Sequence, residues 1–238
     1  MPSNLPKGRV VRVERCELVA ADLPWPFADQ HSAGVNAHWQ RRLAENPNFF
    51  NGRIRMLADY AVEGDTLRGR FLETGFKEFL YWRETGEPDA GVTDAFASAV
   101  IWSRDGAVLL GRQRPGNINT GLSYLPGGFV DSNDVASDGR IDIAASSMRE
   151  VAEETGIGAD LLVRRPGFLL TFTGRQLSIG VEFSCDLGSS ELSQTVMATL
   201  AQDPASELAE VVMVHRQSDL DLHEMPAFAR LLLQHLLP

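Results

Sequence analysis

One stretch, Arg149-Glu150-Val151-Ala152-Glu153-Glu154-Thr155-Gly156-Ile157, constrains this chain more than any other. Its apolar and charged positions follow a helical period, and Gly156 stands where a helix ends on a left-handed residue. A helix is expected over residues 141–155. Positions 150, 153 and 154 are related by i, i+3 and i+4, so their side chains share one face. Three carboxylates side by side destabilise a helix unless a cation compensates them. Arg149 can pair with Glu153 but cannot neutralise all three. A divalent cation that prefers oxygen ligands can, and Mg²⁺ is the first candidate, with Mn²⁺ second. Val151 and Ala152 point elsewhere. With Ile143, Ala144 and Met148 they can anchor the opposite face in a core.

An acidic helix face alone is usually a solvated surface. The flanking residues change that reading. Leu125-Pro126-Gly127-Gly128-Phe129-Val130 precedes the helix, Val108 to Gly116 reads VLLGRQRPG, and Gly156 closes the helix. Together these resemble the Nudix hydrolase superfamily, whose signature is G-x5-E-x7-R-E-U-x-E-E-x-G-U with U apolar. Gly128 would open the signature, and REVAEETGI matches its second half. The resemblance covers roughly residues 95–238. It departs in one place. The family expects a Glu six residues after the opening Gly, where this chain has Asp134. Fifteen positions separate Asp134 from Arg149 where the signature has eight, so the loop holds about seven extra residues. Asp134, Asp138 or Asp142 replaces that Glu, or it is missing. The inserted DSNDVASDG does not make a calcium loop, because Ala136 stands where the sharp turn requires Gly.

The resemblance implies an α/β fold: a Nudix-type mixed β-sheet sandwiched between helices, preceded here by an N-terminal α+β extension. It implies that Glu150, Glu153 and Glu154 are metal ligands, with the Gly127 carbonyl adding another, and that Arg149 orients Glu153 or the loop. The reaction would be attack of water on a phosphorus of a nucleoside diphosphate joined to another group. A carboxylate base would assist: Glu153 or Glu154, or a later residue among Glu182, Glu207 and Glu210. Arg112 and Arg114, just after a strand, would hold substrate phosphates. HWQRRLAENPNFFNGRIRML, residues 38–57, and GVEFSCDL, residues 180–187, are similar to the branch of the superfamily that cleaves UDP-sugars. That similarity implies UDP-glucose or UDP-galactose as substrate, with UMP and a sugar 1-phosphate as products. Trp39 and Phe49 in this segment read as core rather than base-stacking residues. The alternatives are an ADP-ribose or other NDP-X pyrophosphatase, and a non-catalytic nucleotide sensor.

The net charge of −10 weighs against long nucleic acid, which needs a basic face. It does not weigh against a small nucleoside diphosphate derivative bound through metal. Cys16 and Cys185 are too few for a disulfide framework and read as free thiols of a cytoplasmic protein. No leader is read in MPSNLPKGRVVRVERCELV, and no apolar run reaches the roughly 20 residues of a membrane span. The N-terminal half is available as a homodimer interface.

Along the chain, strands are expected at 10–20, 53–61 and 66–74, a helix at 36–46 and a short helix at 75–85. The stretch 21–35, with Pro24, Pro26 and Gly34, reads as loop, and 86–91 as linker. Beyond it, strands are expected at 97–102, 107–111, 125–130, 161–173, 177–187 and 211–215, and a closing helix at 226–237. The expected division is an N-terminal α+β extension, 1–93, and a hydrolase domain, 94–238.

Overall fold

The computed structural model describes residues 8–116, 118–203 and 206–238. The first seven residues of the stretch read for a leader, and Asn117 of the loop after residue 113, lie outside them. Strands β1 (Arg9–Val13) and β2 (Arg15–Ala20) are parted only by Glu14, yet they enter different sheets. Helices α1 (Pro26–Gln30) and α2 (Ser32–Glu45) follow. Next come the hairpin of β3 (Arg53–Glu63) and β4 (Thr66–Gly75), and α3 (Phe76–Glu84). The chain continues through β5 (Asp94–Trp102), β6 (Val108–Gln113), β7 (Ser123–Tyr124) and β8 (Arg140–Ile141) into α4 (Ile143–Thr155). It closes with β9 (Leu162–Arg164), β10 (Phe168–Thr173), β11 (Gln176–Cys185), α5 (Ser189–Gln202), β12 (Leu208–Val214) and α6 (Ala227–Leu236).

The larger sheet runs β1-β10-β11-β5-β6-β12, with β7 on β6 and β9 on β11. It is mixed, because β11 and β5 run parallel while their neighbours run antiparallel. The smaller sheet runs β3-β4-β2-β8. Period-two alternation assigns the faces. Ala95, Ala97, Ala99 and Ile101 of β5, with Ile179 and Val181 of β11, pack on Ile143 and Val151 of α4 and on Leu57, Leu67 and Phe71 of the smaller sheet. The other face of the larger sheet presents Val100, Leu110 and Leu169 to Leu232 and Leu233 of α6. The outer face of the smaller sheet presents Ile54, Met56 and Leu72 to Phe79 and Trp82 of α3. Each large apolar side chain so buried contributes about 1.5–3 kcal/mol, enough to hold α6 by Phe228, Leu232 and Leu233 without strong end caps.

Helix α4 is fixed at both ends. The Asp142 carboxylate caps it by accepting from the Ala144 and Ala145 amides, each at 3.0 Å. Gly156 ends it at φ 71°, and a Cβ there would lie 2.4 Å from Thr199 Cγ2 of α5.

Several expectations need correction. The stretch 21–35 holds α1 and the start of α2. Pro26 lies at the first turn of α1, where a missing N–H costs nothing. The strand over 10–20 breaks at Glu14 into two. The strand over 125–130 does not form. Its backbone bonds to β5 only locally, through the Ala99 amide on the Pro126 carbonyl and the Phe96–Phe129 bridge. The strand over 161–173 divides into β9 and β10 around Gly167 at φ 79°. Helix α5 was not expected at all. The division at residue 93 falls between α3 and β5, but two strands cross it. β1 adds to β10 at the edge of the larger sheet, and β8 joins β2 in the smaller one. Each sheet therefore takes strands from both sides of that division. Among the described residues, no helix is long and apolar enough to cross a membrane.

Candidate active site

A cleft of about 880 Å³ opens between α4 with its glycine loop and the segment that joins α2 to β3. Its acidic wall is built from Glu150, Glu153 and Glu154 of α4, with Glu207 joining from the turn before β12. Glu154 is 7% exposed and accepts from the Gly127 amide at 3.1 Å and the Tyr124 hydroxyl at 3.4 Å. Burial first, then repulsion from Glu150 and Glu207, holds its carboxyl well above the usual carboxylate range. Glu150 is pushed up to about 7 by burial, against the pull of Arg149, with Glu153, Asp134 and Glu207 adding to the rise. Glu153 is the exposed member.

The double glycine is a requirement of close approach. A Cβ at Gly128 would lie 2.4 Å from Glu150 Oε2, and one at Gly127 would lie 2.2 Å from the Ala97 carbonyl oxygen. The loop can lie against both the acidic helix and β5 only without side chains at these positions.

Arg149 stands beside the wall. It meets Glu150 at 2.8 Å, Glu153 at 3.1 Å and both oxygens of Asp134 at 3.2 and 3.3 Å. Asp134 is buried and also accepts from the Asp131 amide at 2.9 Å. Asp138 pairs with Arg140 at the surface, and Asp142 caps α4. Of the three aspartates, Asp134 is the one that braces the loop against Arg149.

The remaining expected site residues separate into two groups. Glu207 lines the cleft; Glu182, Glu210, Arg112 and Arg114 do not. Glu182 lies on β11 beyond Gly180, on which Leu232 of α6 packs, and its carboxylate accepts from Arg12 and from the Trp102 indole. Arg112 pairs with Glu210 at 2.9 Å across β6 and β12. Arg114 donates to the Leu208 carbonyl at 2.8 Å. Strand registry carries these side chains into other contacts. Phe49 does line the cleft, while Trp39 is buried and stacks on it at 6.3 Å. Among the cleft residues that were missed are Arg83 of α3, Asp94 of β5 and Gln176 of β11. Asp94 alone left a trace, as an acidic residue opening a buried apolar strand.

Clustered carboxylates in mutual repulsion suit a divalent cation, and Glu150, Glu153, Glu154 and the Gly127 carbonyl are the groups here that could hold one. Among the described residues, no three His, Cys, Asp or Glu side chains already converge as a metal cage.

A mixed sheet between helices, with an acidic helix against a double-glycine loop, defines a class of hydrolases that work on phosphoric anhydrides. The chain belongs to the NUDIX family: residues 93–234 match the NUDIX domain. No curated protein matches it by sequence. Solved structures similar to it include the Nudix hydrolase RenU of M. smegmatis, at 20% identity and a TM-score of 0.40 over 57% of this chain and 78% of that one. The MutT protein of Methanosarcina mazei Go1 matches at 22% identity and 0.42, over 60% and 91%. The NUDIX domain of Shewanella oneidensis NrtR, solved with ADP-ribose, matches at 18% and 0.39, over 66% and 94%. Family membership rests on the matched residues 93–234, not on these likenesses.

Proposed function

We propose that the protein hydrolyses the diphosphate bond of a nucleoside diphosphate joined to another group. The observation that carries this reading is the acidic wall: Glu154 buried and Glu150 half-buried in a cleft, held against the double glycine, with more negative charge than Arg149 compensates. A divalent cation, Mg²⁺ or Mn²⁺, held by Glu150, Glu153, Glu154 and the Gly127 carbonyl would shield the phosphates and acidify the attacking water. The chain's own residues do the rest. The Gly127 amide and the Tyr124 hydroxyl fix the orientation of Glu154. Arg149, held by Asp134, keeps the wall in register. Glu153 and Glu207 are its exposed carboxylates, and the proton of the water passes to one of them. The water oxygen bonds to phosphorus, and the bridging P–O bond breaks to release two monophosphates.

For substrate, we favour UDP-glucose or UDP-galactose, giving UMP and a sugar 1-phosphate. Supporting this choice, Asn48, Phe49, Phe50 and Arg53, within the segment similar to the UDP-sugar-cleaving branch, line the cleft opposite the acidic wall. The test is a Mg²⁺-dependent panel of UDP-glucose, UDP-galactose and ADP-ribose with separation of products. Consumption of ADP-ribose with intact UDP-sugars overturns the substrate. Nucleotide binding with no turnover of any compound, unaltered by Glu153→Gln and Glu154→Gln, overturns the hydrolase in favour of a sensor.

A further inference from the structure

The cleft holds a second set of polar groups that do not belong to α4. Asp94 opens β5 and Gln176 opens β11, and the two are partners in the parallel register. Asp94 is only 5% exposed, yet it lines the cleft. Among the described residues its carboxylate accepts one side-chain hydrogen bond, from Gln176 Nε2 at 3.1 Å. A buried carboxylate has about four acceptor positions and a large cost when they go unused. Neighbouring cleft residues leave further valence. Arg83 donates to Asn119 Oδ1 at 3.0 Å, which leaves the Asn119 amide group to donate elsewhere. The Gln176 carbonyl is left to accept.

The same part of the cleft is walled by rings. Phe96 stands two positions after Asp94 on the same strand face, edge-on to Phe228 at 4.8 Å. Phe129 lies across from Phe76 at 6.1 Å. Phe50 lines the cleft with 80% of its surface exposed, the most exposed large apolar side chain among the described residues. Flat apolar walls over a floor of mixed donors and acceptors match a planar heterocycle with N–H and C=O groups on its edge. A sugar offers hydroxyls but no flat face for the rings.

We propose that Asp94 and Gln176 form the base-reading subsite of this enzyme, with Asp94 accepting an N–H from the edge of the nucleobase. This rests on the nucleotide reading of the cleft, but not on the identity of the catalytic base. Burial pushes the Asp94 carboxyl up to about 6, so it is ionised at neutral pH and both oxygens accept. Asp94→Asn keeps the shape but places an N–H₂ or a weaker acceptor against the base N–H. Ionic hydrogen bonds of this kind change affinity by roughly tenfold to a hundredfold.

The experiment uses the full chain and two readouts. Calorimetry measures binding of UDP, ADP, GDP and CDP, and of ribose 5-phosphate, to the wild type, Asp94→Asn and Gln176→Leu. Steady-state kinetics follow the best NDP-sugar. The expected result is at least a tenfold loss of affinity for the preferred nucleotide and a changed ranking of the four bases. KM rises and kcat stays within about threefold, while ribose 5-phosphate binds as before. Gln176→Leu, which leaves the carboxylate in place, moves the ranking the same way if Asp94→Asn fails to fold. An equal loss for all four nucleotides, matched by ribose 5-phosphate, overturns the subsite and assigns these residues to the sugar. An unchanged ranking in both variants, or no binding of any nucleotide by the wild type, also overturns it. Base-selective binding with no hydrolysis of any NDP-sugar would instead remove the hydrolase reading and leave the subsite standing.

Discussion

The brace between Asp134 and Arg149 gives the most exacting prediction, because it replaces a longer glutamate across an enlarged loop. The Asp134 side chain is 2% exposed and that of Arg149 is 27% exposed. Asp134→Asn keeps the volume and an acceptor for the Asp131 amide but removes the charge opposite the guanidinium. Breaking one side of a buried ion pair costs roughly 3–5 kcal/mol. Arg149 keeps Glu150 and Glu153 as partners and some water, so the expected loss is about 2–3 kcal/mol. In a protein of this size that lowers Tm by roughly 5–10 °C. Thermal and urea unfolding of the wild type, Asp134→Asn, Arg149→Met and the double variant would measure it, and the cycle should return a coupling near 2 kcal/mol. Asp138→Asn is the control. Its carboxylate meets Arg140 at the surface, and its Tm should match the wild type. If Asp134→Asn changes stability by less than about 0.5 kcal/mol, the value of an ordinary surface change, or no more than Asp138→Asn does, Asp134 is not the brace.

Other predictions follow from the same geometry. Gly128→Ala should lower turnover more than tenfold with little change in Tm, because its methyl group displaces the Glu150 carboxylate. Gly127→Ala should lower stability by about 1–3 kcal/mol, because it meets fixed backbone at Ala97. Glu182→Gln should leave kcat/KM within about threefold of wild type but lower Tm, since the carboxylate holds Arg12 and Trp102 away from the cleft. A large kinetic loss with unchanged Tm would contradict that placement. The Asp94 carboxyl is raised from 3.8 to about 6 by burial. The folded protein therefore holds the extra proton between these values, and this contribution to stability is lost as pH rises through 6. In thermal scans from pH 4 to 7.5, Asp94→Asn should gain on the wild type as pH rises. A constant difference would refute the shift.

The parts of the fold carried by local pattern were legible in the sequence. Helix α4 combines a 3.6-residue period with Gly156 at its end, and β3 and β4 alternate as strands on either side of a short polar turn. Features that depend on distant partners were not. Helix α5 shows only Leu192, Val196 and Leu200 as its buried residues, too thin a stripe to stand out from its polar surroundings. Residues 125–130 carry a strand-like run of apolar side chains, but the glycines serve close approach to α4 and β5 rather than a ladder. At the site, the carboxylates of one helix were visible because three of them lie within five residues. Arg83 and Asp94 come from neighbouring elements but Gln176 lies some 80 residues on, and only the parallel pairing of β5 with β11 brings it to Asp94. The same pairing places Glu182 beyond the cleft, although its sequence context resembles that of a site residue.

The exchange of β1 and β8 between the two sheets also bears on how substrate enters and leaves. Two walls joined only by the segment 86–93 would swing apart like a hinge. Here each wall is stitched into the other by a strand at either end of the cleft's scaffold, so the mouth has a fixed gauge. Passage of a nucleotide then depends on side chains at the rim, Phe50 foremost, rather than on the opening of two lobes. Cutting the backbone within 86–93 should therefore leave the halves together, with the cleft still formed.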